Sequence, residues 1–303
     1  MVGKQERRYQ RMITVVLALI SLIMVIPLVL LVVASFTSNN EIVLHGYSFF
    51  PKELSLEAYR YIWNERAQVF HAYGITILVT AIGTTIGVMM TLLYAYVLAH
   101  EKFPGKTFLA FYLFFTMLFN GGLVPTYIMY TRYLHMKNTI PALIIPGLLM
   151  SAFNVILTRT YIQSNVPAAL SEAAKIDGAT EFQVFRKVVL PMCKPIIATV
   201  GLFAGLGYWN DWTNGLYYIT DTNKFSIQQL LNNMIKNIEF LSKNANSNIN
   251  LASVGGGIPQ ETVRMAIAIV GLLPILIVFP FVQKYFVKGI SICLLYTSDA
   301  ADD

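Results

Sequence analysis

The 303 residues are 56% hydrophobic and 13% charged, with a mean hydropathy of +0.58 and a formal charge of +6. A soluble domain carries about 25% charged residues, so this composition excludes an ordinary globular enzyme and identifies a membrane protein. The basic residues sit beside apolar runs, which points to anionic lipid and membrane topology rather than to nucleic acid.

Crossing a bilayer core takes about 20 apolar residues in a helix. Lys4, Arg7, Arg8 and Arg11 precede the first such run, Met12–Phe36. That run is longer than the roughly 7–15 apolar residues of a cleaved signal, so an uncleaved first span is expected. Further uncharged runs follow at Ala72–Ala99, Thr107–Thr131, Thr139–Thr158, Pro195–Asn210 extended by Trp212–Thr220, and Met265–Gln283. The pattern predicts an all-α membrane protein with six transmembrane helices. Residues 1–11 form an N-terminal segment, 12–290 the six-span domain with a charged loop at 164–195, and 291–303 a tail.

Orientation follows from the charges beside the spans. Basic residues mark the N-terminus, the turn with Lys102 and Lys106, the loop with Lys175, Arg186, Lys187 and Lys194, and the end with Lys284 and Lys288. Lys52, Arg60 and Arg66 on the other side face Glu41, Glu53, Glu57 and Glu65, a balance of −1. Both termini and the 164–195 loop are therefore expected in the cytoplasm. Gly83 with Gly87 and Gly201 with Gly205 are GxxxG pairs that let helices approach closely. Pro27, Pro146, Pro274 and Pro280 are positions where a span can kink. There is no internal or inverted repeat of the sort many secondary carriers show.

Within the loop, Asn165 or Ser164 can cap a helix whose first turn contains Pro167. Gly178 is placed to end it in a left-handed conformation. A second short helix fits Thr180–Val189, stopped at Pro191, with Phe182, Phe185 and Val189 as its apolar stripe opposite Arg186 and Lys187. Two short helices meeting at a glycine make a compact knob that fits a groove on a soluble partner. Periodicity alone serves a solvated loop with helical character equally well.

The residues themselves carry a resemblance. Glu172-Ala173-Ala174, three residues, Gly178, nine residues, then Val188-x-Leu190-Pro191 resembles the EAA loop of bacterial ABC importer permeases. Asp177-Gly178-Ala179 and Phe185 resemble the maltose-type, carbohydrate-importing branch. "YWNDW" (Tyr208–Trp212), "PQETVRMA" (Pro259–Ala266) and "PFVQKYFVKG" (Pro280–Gly289) extend the likeness over roughly residues 10–290, closest to the smaller permease of oligosaccharide importers. The resemblance implies the type I importer permease fold in a bacterial cell membrane. Its implied partners are a second homologous permease in a heterodimer, an ABC ATPase dimer at the cytoplasmic face and an extracytoplasmic sugar-binding protein. Glu172, Ala173, Ala174, Asp177, Gly178, Phe185, Leu190 and Pro191 are implied as the ATPase-docking surface. The acidic tail "CLLYTSDAADD" (Cys293–Asp303) departs from the family's short basic end and is expected to be non-native.

Catalytic chemistry is missing. "PGKT" (Pro104–Thr107) is not a P-loop, because His100 stands where the first glycine of GxxxxGK[ST] belongs. His45, His71, His100 and His135 lack metal-ligand spacing, Cys193 and Cys293 form no redox or metal motif, and there is no GxSxG elbow. No enzyme, cofactor or metal is expected, and ATP hydrolysis is assigned to a separate subunit. For the substrate path, Trp209, Asn210, Asp211 and Trp212 offer aromatic faces with amide and carboxylate partners for sugar hydroxyls. An interfacial Trp belt, with Asn210 and Asp211 capping a helix end, accounts for them equally well. The competing classes are an ion-coupled secondary transporter and a membrane scaffold. A carrier calls for charged or unwound residues in midspan, and neither the third nor the fourth span is expected to hold any.

Overall fold

The computed structural model describes residues 4–100, 103–244 and 260–299. Lys102, Pro259, residues 300–303 and the side chains of Lys284, Lys288 and Cys293 lie outside the described residues. The architecture is all-helical. Among the described residues the one β contact is an isolated bridge between Thr37 and Leu54.

Among the described residues three helices are long and apolar enough to cross a membrane unbroken. They are residues Arg8–Ser35 of α1 (Lys4–Ser35), α4 (Arg66–Ala99), and Gln260–Pro280 of the last helix, Gln260–Asp299. Between α1 and α4 lie α2 (Asn39–His45) and α3 (Glu57–Asn64). The other expected spans are interrupted, which corrects the picture of six plain helices.

In the third run, α5 (Lys106–Leu118) is followed by α6 (Leu123–Ile128) and a π turn (Met129–Tyr133), and the axis turns by 114° between them. The break is Phe119-Asn120-Gly121-Gly122. Gly122 has φ +85° and donates its amide to Asn120 Oδ1 at 2.8 Å. An Asn side chain folding back on the chain two residues on, with a glycine free to adopt positive φ, makes a turn even in an apolar run.

The fourth run splits into α7 (Pro141–Ile144) and α8 (Ala152–Asn165) around an unwound segment at 145–151, where Gly147 has φ +72°. Unwound backbone at membrane depth needs partners for its freed carbonyls. Tyr208 Oη donates to Ile144 O at 2.9 Å and Asn214 Nδ2 donates to Pro146 O at 2.9 Å. The expectation of no midspan unwinding in the third and fourth runs therefore fails, and it is no argument against a carrier.

The fifth run holds α12 (Lys194–Trp209) and α13 (Thr213–Tyr218). With 16 residues α12 is about 24 Å long, short of a roughly 30 Å bilayer core.

The chain divides into two compact units. In the first, Met1–Val69 with Leu231–Pro274, most of α1 is exposed along its whole circumference. The stretch after α1 is tied by side chains. Glu41 accepts the amides of Lys52 (2.7 Å) and Glu53 (2.6 Å), which hold its carboxyl below the usual carboxylate range. Asn39 Oδ1 accepts the Glu261 amide at 3.0 Å, and Tyr47 Oη donates to Glu261 Oε2 at 3.1 Å.

The second unit, Phe70–Leu230 with Ile275–Asp303, holds the apolar cluster around Val155, Val184 and Ile196. Its antiparallel contact between α4 and α12 runs past Gly83, Gly201 and Gly205. Cβ atoms added at Gly201 and Gly205 would meet Val88 and Thr84 at 3.9 and 3.6 Å, whereas one at Gly87 would lie 2.7 Å from Leu149 O in the unwound segment. Close approach requires glycine at Gly83, against the Tyr208 ring, and at Gly87, whereas a methyl at Gly201 or Gly205 would sit at ordinary contact distance.

Candidate functional site

Between α8 and α12 the charged loop folds as the expected knob, with corrections. Its first helix, α9 (Ala168–Ile176), starts after Pro167. Asn165 does not cap it: it is the last residue of α8, and its Nδ2 donates to Tyr161 O at 3.1 Å. At the other end Gly178 takes φ +82°. Its amide reaches Lys175 O at 3.0 Å and the Ala179 amide reaches Ala174 O at 2.9 Å. That pair of bonds is a Schellman motif, satisfying carbonyls that the helix end would otherwise leave orphaned.

Thr180 then starts α10 (Glu181–Val184) with a capping box: Thr180 Oγ1 accepts the Gln183 amide and Gln183 Oε1 accepts the Thr180 amide at 2.8 Å. A π turn (Phe185–Val189) and α11 (Leu190–Met192) continue it, so Pro191 does not stop the helix. Proline removes one donor and its ring crowds the carbonyl four residues earlier; the wider π turn just before it gives that carbonyl room. The real break comes at Cys193, where the axis bends by 81° into α12.

The π turn also shifts which face is buried. Val184, Phe185 and Val189 are buried in one cluster with Leu92, Ala95 and Leu98 of α4 and Val155, Tyr161 and Ile162 of α8, while Phe182 is 65% exposed. Of the residues implied as docking contacts, Glu172, Ala173, Asp177, Gly178 and Pro191 lie on the surface. Ala174 and Leu190 are half-buried, and Phe185 is turned inward with its ring 5.2 Å from that of Tyr96. Phe185 thus holds the knob on the bundle rather than offering it to a partner. Two exposed apolar side chains, Ile176 (86%) outside the stripe read from periodicity and Phe182 within it, flank the exposed polar residues instead.

A polar cluster joins the knob to the end of α4. Glu181 Oε1 is 2.6 Å from Lys175 Nζ, and Tyr96 Oη donates to Glu181 Oε2 at 2.9 Å. His100 Nε2 is 3.0 Å from Lys175 Nζ and 3.9 Å from Glu181 Oε1. The Lys175 ammonium, then the Tyr96 hydroxyl, hold the Glu181 carboxyl below its usual range.

The second expected site does not form as a helical face. α12 ends at Trp209, and Trp212 precedes α13, so the two indoles do not sit one turn apart on a continuous helix. Asn210 Nδ2 donates to Leu206 O at 2.9 Å. Asp211 Oδ1 accepts the amides of Thr213 (3.0 Å) and Asn214 (3.2 Å), capping α13. The Trp209 ring lies 6.3 Å from that of Tyr73. A different feature lies in the same unit. A cleft of about 330 Å³ is bounded by α4, the unwound 145–151 segment, α8 and α12. It exposes Thr91, Ser151 and Asn154 among Leu148, Phe153 and Phe203. Asn154 is 8% exposed. Its only sequence signal was the Pro146-Gly147 pair.

Residues 2–292 match the family described as the binding-protein-dependent transport system inner membrane component. The chain belongs to this family. The permease is 35% identical to the polygalacturonan/rhamnogalacturonan transport system permease protein YtcP of Bacillus subtilis (strain 168), over 94% of this chain and 97% of that one. It is 34% identical to protein LplC of the same organism, over 89% and 88% of the two chains. Its fold matches a chain of the crystal structure of a bacterial ABC transporter involved in import of the acidic polysaccharide alginate. There the TM-score is 0.76 at 28% identity, covering 94% of this chain and 99% of that one. The permease therefore has the ABC importer permease fold, and membership in a transport family, rather than the form of its spans, disfavours a free-standing enzyme or carrier.

Proposed function

We propose that this permease forms half of the translocation pathway of an ATP-driven importer of oligosaccharides, paired with a second permease and energised through the 164–195 knob by a separate ABC ATPase dimer. The observation that carries the reading is the knob itself. An intramolecularly capped, glycine-hinged pair of short helices presents Glu172, Ala173, Asp177, Ile176 and Phe182 outward, while Val184, Phe185 and Val189 fix it to the bundle. An amphipathic element with its outer face open is a shape suited to a groove. The sugar class rests on the chain's relatives, which include an arabinooligosaccharide transport system permease 25% identical over 93% of this chain. An extracytoplasmic binding protein is the partner that the family description implies.

The sugar path is proposed through the cleft at Thr91, Ser151 and Asn154, with Trp209 and Trp212 as flanking aromatic faces. Asn210 and Asp211 are assigned to helix capping. Topology is proposed as six crossings, three of them by interrupted helices, in a bacterial cell membrane with both termini inside. The unbroken spans and the distribution of basic residues support it. Residues 293–303 are proposed to lie outside the permease fold.

Two measurements test this. In proteoliposomes holding the four-part complex, labelled oligosaccharide uptake should require both ATP and the binding protein, and an ion gradient alone should give none. Uptake driven by a gradient without ATP would overturn the importer reading. In intact cells an impermeant thiol reagent should reach a cysteine at Ser55 and should not reach one at Gln183; the reverse would overturn the topology.

A further inference from the structure

We propose that Lys175, Glu181, Tyr96 and His100 form a clasp that makes α4 the lever through which movement of the docked knob reaches the middle of the membrane. This rests on the docking role proposed above and adds the route by which force leaves the knob. An exposed ion pair by itself contributes little, and an apolar contact resists separation better than it resists rolling. Val184, Phe185 and Val189 sink the knob into the cluster that includes Leu92, Ala95 and Leu98 of α4, where Phe185 meets the Tyr96 ring.

The clasp adds direction. One carboxylate, Glu181, is held from α9 by Lys175 at 2.6 Å and from α4 by Tyr96 at 2.9 Å, and His100, just past the end of α4, meets the same Lys175 at 3.0 Å. Charge-assisted bonds to two different helices fix orientation as well as position. Tyr96 also lies against Phe185 at 5.2 Å, so the polar and apolar attachments share one side chain.

The other end of the lever is equally defined. Thirteen and nine residues before Tyr96, α4 carries Gly83 and Gly87, which pack on Tyr208 and on Leu149 of the unwound segment. One unbroken helix thus touches the knob at its end and the interrupted fourth run in its middle, where Thr91 lines the cleft. A displacement of the knob that is clasped to α4 reaches the cleft; one that merely rolls on Phe185 does not.

The test uses the full complex in proteoliposomes and reads ATP hydrolysed per sugar imported. Glu181→Ala and Lys175→Ala should each raise that ratio about fivefold, the low end of usual coupling energies between sites, with unchanged ATPase association. The exchanged pair Lys175→Glu with Glu181→Lys should return the ratio to within about twofold of the parent, since opposite charges face each other again. A merely structural role would reduce the amount of complex and leave the ratio alone. Parental ratios in both single variants overturn the clasp. Hydrogen exchange in the permease pair without ATPase separates the two readings. Faster exchange of the 168–184 amides in Glu181→Ala supports the clasp even if docking fails, and parental exchange there overturns it.

Discussion

Replacing Gly178 with proline should reduce ATP-driven uptake at least about tenfold while leaving the amount of membrane-inserted permease unchanged. The backbone at Gly178 sits at φ +82°, and its amide donates to Lys175 O at 3.0 Å. Proline is locked near φ −65° and has no amide hydrogen, so the turn and the Schellman bonds cannot form. The incompatibility is worth about 3 kcal/mol or more, enough to break the junction between α9 and α10. It is not enough to disturb insertion of the spans, which hold their own backbone bonds. Gly178→Ala calibrates the loss. Nothing lies within 4 Å of a Cβ added there, so only the left-handed strain of about 1–2 kcal/mol remains, and uptake should fall only partly. Glu172→Lys isolates docking from folding: Glu172 is exposed on α9, so reversing its charge should remove ATPase association without altering the knob. Parental uptake and association in both Gly178→Pro and Glu172→Lys would overturn the docking role.

What the sequence made legible follows from which signals are local. Apolar runs located the three helices long enough to cross a membrane unbroken, because hydrophobicity acts residue by residue. Gly178 was readable because a glycine after a run of alanines has one cheap role, ending the helix. Thr180 and Gln183 form a capping box at the expected spacing, a signal present in the sequence and passed over. The interruptions were half-visible: Asn120-Gly121-Gly122 and Pro146-Gly147 are turn signals, but inside apolar runs they compete with the demand that backbone in lipid be helical. What decides for a turn at Pro146 lies far away in the chain, in Tyr208 and Asn214, which take up the freed carbonyls. The buried face of the second knob helix was misplaced for a different reason. A π turn inserts an extra residue into the helical count, so periodicity rotates Phe182 inward where the fold leaves it out. Asn210 and Asp211 show the limit of residue chemistry alone: amide and carboxylate suited to a sugar are equally suited to a helix end, and both make hydrogen bonds at one.

The largest effect on assembly is expected at Gly83. A Cβ built there falls within the ring of Tyr208, with Cε2 and Cε1 at 2.6 and 2.7 Å. Such distances do not occur between real atoms, so one of the two must move. Tyr208 is 2% exposed, packed with Leu143, Ile144 and Tyr218, and its hydroxyl is spent on Ile144 O at the break of the fourth run. Moving the ring opens that cluster and strips a carbonyl of its partner in a place where water cannot replace it. Overpacking of this kind costs about 1–3 kcal/mol, and the freed carbonyl adds up to about 1 kcal/mol more. The yield of monodisperse permease pair from Gly83→Ala should therefore fall about tenfold or more. Gly201→Ala is the control on the same α4–α12 contact, since its nearest neighbour, Val88, would lie at an ordinary 3.9 Å; its yield should match the parent. Tyr208→Phe removes the hydroxyl alone and should cost about 1 kcal/mol or less, as single interhelical hydrogen bonds in membranes do. The deciding measurement is the pair Gly83→Ala with Tyr208→Leu. A smaller side chain at 208 makes room for the added methyl, so the double variant should assemble better than Gly83→Ala alone despite carrying two changes. Parental assembly of Gly83→Ala, or a double variant worse than both singles, would mean that α4 and α12 do not meet through this glycine.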